Sequence, residues 1–318
     1  MPLPALQADE VVVRVDYVAL CGSDIKLFNG TYTAPHKYPI VLGHEWVGQV
    51  EDVSQSAAEL WHVGDFVTGD CSLFCGRCAN CAKNQNHCLH IQKRGITLDG
   101  ACAEHIIVRS RHLHHCPVVS DARPFALTEP MAVVVQGLHN RIPTETLRSA
   151  KRALIIGAGG IGMMALLSLL DFKIPTITVA DPVPEKLSLV SRLQLNDMTW
   201  TSVFPTEQDS FDLIVEASGS AQALQQALKV AAPGATIVCF GHQSLLELDG
   251  GIIVKKSLSL LGSIGGSGSF ELAAQKIQSR TSLVLQLITR IVPLPQAEAF
   301  FRNYLNHEVN IKILIDLR

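Results

Sequence analysis

Charge is scarce in this chain, and neither sign dominates. Asp, Glu, Lys and Arg make up 17% of the 318 residues and the net charge is −3. No basic face is implied, which argues against nucleic acid or an anionic membrane as a partner. The start, Met1-Pro2-Leu3-Pro4, has no basic residues and no long apolar stretch behind it, so it does not read as a secretory signal. The one long uncharged run, Ala153 to Leu170, has glycines early and a helix-like stretch late. That pattern suits a buried strand, a turn and a helix better than a membrane span. Internal repeats and low-complexity linkers are lacking too. The expectation is a soluble, cytoplasmic chain whose thiols stay reduced, so clustered cysteines read as metal ligands rather than disulfides.

What is present is apolar residue in quantity, 47% of the chain, enough for a large core and two domains. The first third is β-branched and punctuated by Gly, Asp and Pro: "EVVVRVDYVAL" (10–20), "YPIVLGHEWVGQVEDV" (38–53), "VGDFVTGD" (63–70) and "CAEHIIV" (102–108) read as short strands of a β-rich, barrel-like domain. The middle alternates strand and helix through "RALIIGAGGIGMMALLSLL", "TITVADPVPEKLSLVSRL" and "FDLIVEASGSAQALQQALKVA". Two more strands follow in "GATIVCFG" and "SLSLLGSIGG". Such alternation predicts a parallel sheet covered by helices on both faces. From about Ser267 the tail returns to helices and ends in a strand, "VNIKILIDL".

Gly157-Ala158-Gly159-Gly160-Ile161-Gly162 fits G-x-G-x-x-G and stands between a strand and an apolar helix, as a dinucleotide site requires. Gly157 permits the tight turn, Gly159 admits a pyrophosphate, and Gly162 lets helix and strand pack closely. The helix N-terminus offers amides to the phosphates. Asp181 follows the next strand, where a carboxylate can bind the adenosine ribose and repel a 2′-phosphate, although a helix N-cap would use Asp there as well. With Pro182 next in line, the cofactor expectation is NAD. Lys186 is a candidate for the adenosine side of the cofactor and equally a helix-surface lysine.

Five of nine cysteines fall within residues 71 to 88. Cys75-x2-Cys78-x2-Cys81-x6-Cys88 supplies four soft ligands for a tetrahedral zinc, which closes the metal to substrate and makes the site structural. Cys71 is the spare, read as a small buried residue. Cys21 in "ALCGSD", His44-Glu45 in "VLGHEW" and Glu129 in "LTEPMA" form a dispersed second set. Each has a bland alternative: a core cysteine, a turn histidine, a helix-start carboxylate beside Pro130. Mixed S, N and O ligands from distant segments also match an open, catalytic zinc site.

Taken in order, "CGSD", "GHE", the cysteine loop, "DGACAEH", "EP" and "GAGGIG" resemble the zinc-dependent medium-chain alcohol and polyol dehydrogenases. The likeness is closest to the branch of sorbitol and galactitol-phosphate dehydrogenase-like enzymes, and it runs from about Val11 to the C-terminus. It implies an α/β fold, with a β-rich GroES-like catalytic domain (1–129), a Rossmann doubly wound parallel sheet (130–266), and a tail (267–318) that rejoins the first. The family's usual opening strands have no counterpart ahead of Val11, so an exposed edge strand is expected. The resemblance implies catalytic zinc on Cys21, His44 and Glu129. Glu45 is either a direct ligand or an exchanging neighbour, and structural zinc sits on Cys75, Cys78, Cys81 and Cys88. Ser23 would pass the hydroxyl proton outward, and a hydride would move from a secondary hydroxyl of a polyol, sugar acid or sugar-alcohol derivative to C4 of NAD. A homodimer or homotetramer follows by analogy.

Three further departures from the family pattern stand out. The last cysteine gap is one residue short, which bears on how the lobe closes on metal. Lys26 stands where many relatives end the proton relay with histidine. Ile264-Gly265-Gly266 replaces the Phe-Arg-Tyr of sorbitol dehydrogenases, which weakens sorbitol itself as substrate. Lys312 matches a basic position that contacts cofactor phosphate in some relatives, with a solvated strand-end lysine favoured. His112, His114 and His115 read as a solvated loop rather than a third metal site. The alternatives kept open are a threonine or simple secondary-alcohol dehydrogenase, a zinc-independent enone reductase, and a non-catalytic zinc and NAD binder.

Overall fold

The structure, a computed structural model, describes residues 4–118, 120–242, 247–303 and 309–318. The chain divides into two units, Met1–Ala132 with Gly265–Arg318, and Val133–Ile264.

The first unit is built on the strand Glu10–Ala19, whose β-branched run is buried almost throughout. It pairs antiparallel with Glu45–Val53, His105–Arg109 and Lys312–Asp316. In the seven-stranded sheet Ile288–Pro293 lies beyond Lys312–Asp316, while Phe66–Gly69 and Leu113–His115 extend the other side. Valines 11, 13, 15 and 18 pack with Trp46, Ile313 and Ile315 in one core, so the tail completes the interior begun by the first strand. Each such fully buried aliphatic side chain contributes roughly 1.5–3 kcal/mol.

One expected strand is shorter than its sequence suggests. Only Glu45–Val53 of the 38–53 stretch is strand. Residues 41 to 43 are instead strapped to the turn that contains "DGAC". The Val41 amide donates to Asp99 Oδ1 (3.1 Å), and the Gly100, Ala101 and Cys102 amides donate to the carbonyls of Val41, Gly43 and Leu42 (2.7–3.0 Å). Gly43 then turns the chain at φ +95°, a conformation open to glycine, and delivers His44 at the mouth of the next strand.

The second unit holds a six-stranded sheet in the spatial order Met198–Thr201, Thr176–Ala180, Arg152–Ile156, Phe211–Glu216, Ala231–Cys239, Ser259–Gly262. Every pairing is parallel. In chain order this is 3-2-1-4-5-6, the doubly wound arrangement that binds dinucleotides where the winding reverses. Met198–Thr201 has no counterpart among the strands expected from sequence, because its short, half-buried run lacks a strong apolar pattern. Among the described residues no helix is long and apolar enough to cross a membrane.

Candidate functional site

In the first unit, Cys21 caps the short helix Gly22–Phe28, while His44 and Glu45 lead into the strand Glu45–Val53. One ligand atom from each of these three residues lies within 4.8 Å of the others. A thiol, an imidazole and a carboxylate form a donor set suited to zinc, so the residues fit the metal. Glu129, buried at the start of the helix Thr128–Leu138, is not in that 4.8 Å group. It does feel the charge of His44 and Glu45, and burial pushes its carboxyl up to about 7. Ser23 Oγ lies 3.4 Å from His44 Nε2. Lys26 is exposed in the last turn of the same helix.

Asp24 organises this corner, a role that the "CGSD" motif alone does not reveal. Its side chain is fully buried, accepts the amides of Cys21 (2.8 Å) and Gly43 (3.1 Å), and lies 3.5 Å from His44 Nδ1. One carboxylate therefore ties the Cys21 and Gly43 segments together and sets its charge beside the imidazole, the position that carboxylate partners of metal-binding histidines occupy. Burial alone would raise the Asp24 carboxyl. The His44 charge and the two amides outweigh it and hold the group below its ordinary value.

Lys312 corrects a sequence expectation. It is a buried lysine, not a solvated strand end, and its Nζ forms an ion pair with Glu45 Oε2. Burial disfavours its charge, but Glu45 reverses the sign and raises its pKa. The pairing joins residues 267 positions apart, so no local signal carries it.

The cysteine lobe closes despite its short last gap. The four sulfurs lie mutually within 4.8 Å, with Cys78–Cys81 at 3.4 Å and both Cys75–Cys81 and Cys78–Cys88 at 3.9 Å. A tetrahedral zinc with bonds of 2.3 Å needs sulfurs about 3.8 Å apart. The lobe therefore fits a closed metal. Cys71 is buried, and burial pushes its thiol up to about 12. In contrast, the amides of Leu89 and Cys81 bring Cys78 down to about 6. In metal-stripped protein at about pH 8, alkylation should reach Cys78 first and spare Cys71 and the buried Cys116. Peptide mapping by mass spectrometry checks that order; early labelling of Cys71 would contradict the burial argument.

His112 and His114 also differ from the expected solvated loop. His112 is buried and His114 lies in the strand Leu113–His115. His114 Nε2 donates to buried Asp70 at 3.1 Å, and its ring stacks on Phe270. His115 is exposed beside Trp61. Among the described residues the two ligand groups above are the only sets of three or more converging metal donors.

In the second unit, a cleft of about 480 Å³ opens at the carboxyl ends of the central strands, lined by Gly157, Gly159, Asp181, Lys186 and Ser218 among others. Gly157 turns at φ +102°. A Cβ on Gly162 would lie 1.8 Å from the Gly157 carbonyl oxygen, whereas one on Gly159 would meet nothing within 4 Å. The room at Gly159 suits a pyrophosphate at the N-terminus of the helix Gly160–Leu169. Asp181 does not cap the next helix, whose N-cap is Val183. It accepts the Ala158 amide with Oδ2 and the Val183 amide with Oδ1, and Lys186 Nζ stands 3.6 Å away.

Comparison with known proteins follows the same lines. Residues 7–118 match the alcohol dehydrogenase GroES-like domain, and residues 123–317 match the glucose dehydrogenase C-terminus. The chain is 28% identical to D-altritol 5-dehydrogenase of Agrobacterium fabrum over 98% of its length and 94% of that protein. It is 30% identical to galactitol 1-phosphate 5-dehydrogenase of Escherichia coli K12, covering 80% of this chain and 75% of that one. The crystal structure of galactitol-1-phosphate dehydrogenase from Escherichia coli superposes with a TM-score of 0.85 at 27% identity, over 100% of this chain and 95% of the other.

Proposed function

This chain belongs to the zinc-type medium-chain polyol dehydrogenases, oxidoreductases acting on CH–OH donors, and on that premise we propose that it oxidises a secondary hydroxyl with NAD. The convergence of Cys21, His44 and Glu45 carries the reading. When bound, zinc supplies the Lewis acidity that loosens the hydroxyl proton, and the dinucleotide supplies the hydride acceptor. The chain's own residues hold and move the rest. Cys21 and His44 would hold the metal, with Asp24 beside the His44 ring and the buried Glu129 within the field of His44 and Glu45. Ser23 Oγ, 3.4 Å from His44 Nε2, takes the hydroxyl proton and passes it to water, since Lys26 is turned to solvent. Glu45 is paired with Lys312 and would be a further carboxylate donor to the metal.

The Asp181 carboxylate supports NAD over NADP, because a 2′-phosphate beside it would meet like charge. The expected preference is about 10- to 100-fold in kcat/KM. Asp181→Asn should narrow it while leaving an oxygen for the Ala158 amide. Steady-state kinetics with both dinucleotides decide the matter, and an NADP preference in the parent enzyme would overturn the assignment. For the substrate, NADH formation is followed with polyols, polyol phosphates, sugar acids and threonine. Dinucleotide binding without turnover on any of them would favour a non-catalytic binder. Cytoplasmic location and a homo-oligomer remain part of this proposal.

A further inference from the structure

The short gap between Cys81 and Cys88 contains a buried side chain that reaches far along the chain. Asn86, in the tight turn Gln85–His87, is 7% exposed. Its Nδ2 donates to the Ser267 carbonyl (3.0 Å), and its Oδ1 accepts the Ser267 amide (2.9 Å). The side chain thus reads the backbone of Ser267 with a matched donor and acceptor. Asn84 holds it ready, since Asn84 Oδ1 accepts both the amide and Nδ2 of Asn86 (2.9 and 3.0 Å). The fit leaves no spare room. A Cβ on Gly265 would lie 2.2 Å from Asn86 Oδ1.

Ser267 is gripped from a second side. Its hydroxyl donates to Asp70 Oδ1 (2.7 Å), while His114 donates to Asp70 Oδ2 and stacks on Phe270, the first residue of the helix Phe270–Ser279. Residues 265–269 are where the chain re-enters the first unit. They belong to no strand, and besides the turn's own bond from the Ser269 amide to the Gly266 carbonyl (2.9 Å), side-chain bonds from Asn86 and Asp70 hold Ser267.

Metal in the lobe would pin both ends of the span that carries Asn86, because Cys81 and Cys88 flank it. Apart from the metal, the span is held by hydrogen bonds alone, among them Asn80 Nδ2 to the His87 carbonyl (2.9 Å), the Asn84 amide to the Asn80 carbonyl (2.8 Å) and the bonds of Asn86. We propose that metal in the four-cysteine lobe acts, through Asn86, as a clamp on the turn 265–269. Asn86 is a positioning residue in this scheme. The proposal rests on reading the lobe as a zinc site, and it is independent of the chemistry at Cys21.

The test is a four-way comparison of the full-length protein, Asn86→Ala, Cys78→Ser and the double variant. Zinc per chain and amide hydrogen exchange over 265–269 are measured on each. Asn86→Ala should keep the zinc content of the parent and exchange at least about tenfold faster at Ser267, because two buried hydrogen bonds are lost. Cys78→Ser should lose one zinc and show the same acceleration, and the double variant should be no faster than either single one. Slow exchange in Asn86→Ala, or effects that multiply in the double variant, would overturn the clamp. Slow exchange in Cys78→Ser after loss of zinc would overturn it too. A zinc content unchanged by Cys78→Ser would instead refute the metal reading on which the clamp depends.

Discussion

Cys21→Ala is expected to lower kcat/KM by at least about 10³-fold, because a bound metal contributes several kcal/mol to the transition state of such a reaction. Zinc per chain should fall from two to one, since the cysteine lobe is a separate group of ligands. The backbone cap at this corner runs from the Cys21 amide to Asp24, and alanine retains that amide. Folding should therefore survive, and the loss can be assigned to the missing ligand. Cys71→Ala is the control, a thiol whose removal should keep both metals. Metal analysis, circular dichroism and kinetics on the same samples separate these effects. Full turnover with one zinc per chain would falsify the proposed mechanism.

Lys312→Met should destabilise the first unit by about 3–5 kcal/mol, because it strands the Glu45 carboxylate in the interior. Side-chain exposures of 4% and 2% leave water no access to compensate. The methionine fills similar volume, so little of the loss comes from a cavity. Adding Glu45→Gln should recover most of it, which a double-mutant cycle by urea denaturation of metal-stripped protein can read. Additive losses would show that the pair is not coupled. The pH dependence follows from the raised lysine. Its contribution is fully present below the ordinary lysine pKa of 10.5 and fades as pH rises through the higher folded value. Alkaline unfolding of the parent should consequently be steeper than that of the double variant.

Legibility in the sequence followed the range of the interactions. The glycine fingerprint was readable because its strand, turn and helix are contiguous. The cysteine loop was readable for the same reason, and its short gap proved compatible with four converging sulfurs. The apolar run at residues 38 to 44 misled, because bonds to the turn at 99–102 replaced a strand ladder. The histidines at 112 and 114 misled more fully. Polar residues in series look solvated until a buried carboxylate, Asp70, arrives from another segment to receive them.

By itself the sequence marked the two-part α/β plan, the glycine turn of the second unit and the four cysteines that converge in the lobe, and it picked out Cys21, His44 and Glu45 together with Glu129, which lies outside their group. Residue type and local spacing suffice where chemistry is set by neighbours in the chain. Only the tertiary structure decided which charges are buried against which: Asp24 against His44, Lys312 against Glu45, Asp70 against His114. A charge can leave water only where a distant partner meets it at hydrogen-bond range, and that distance is a property of the folded chain.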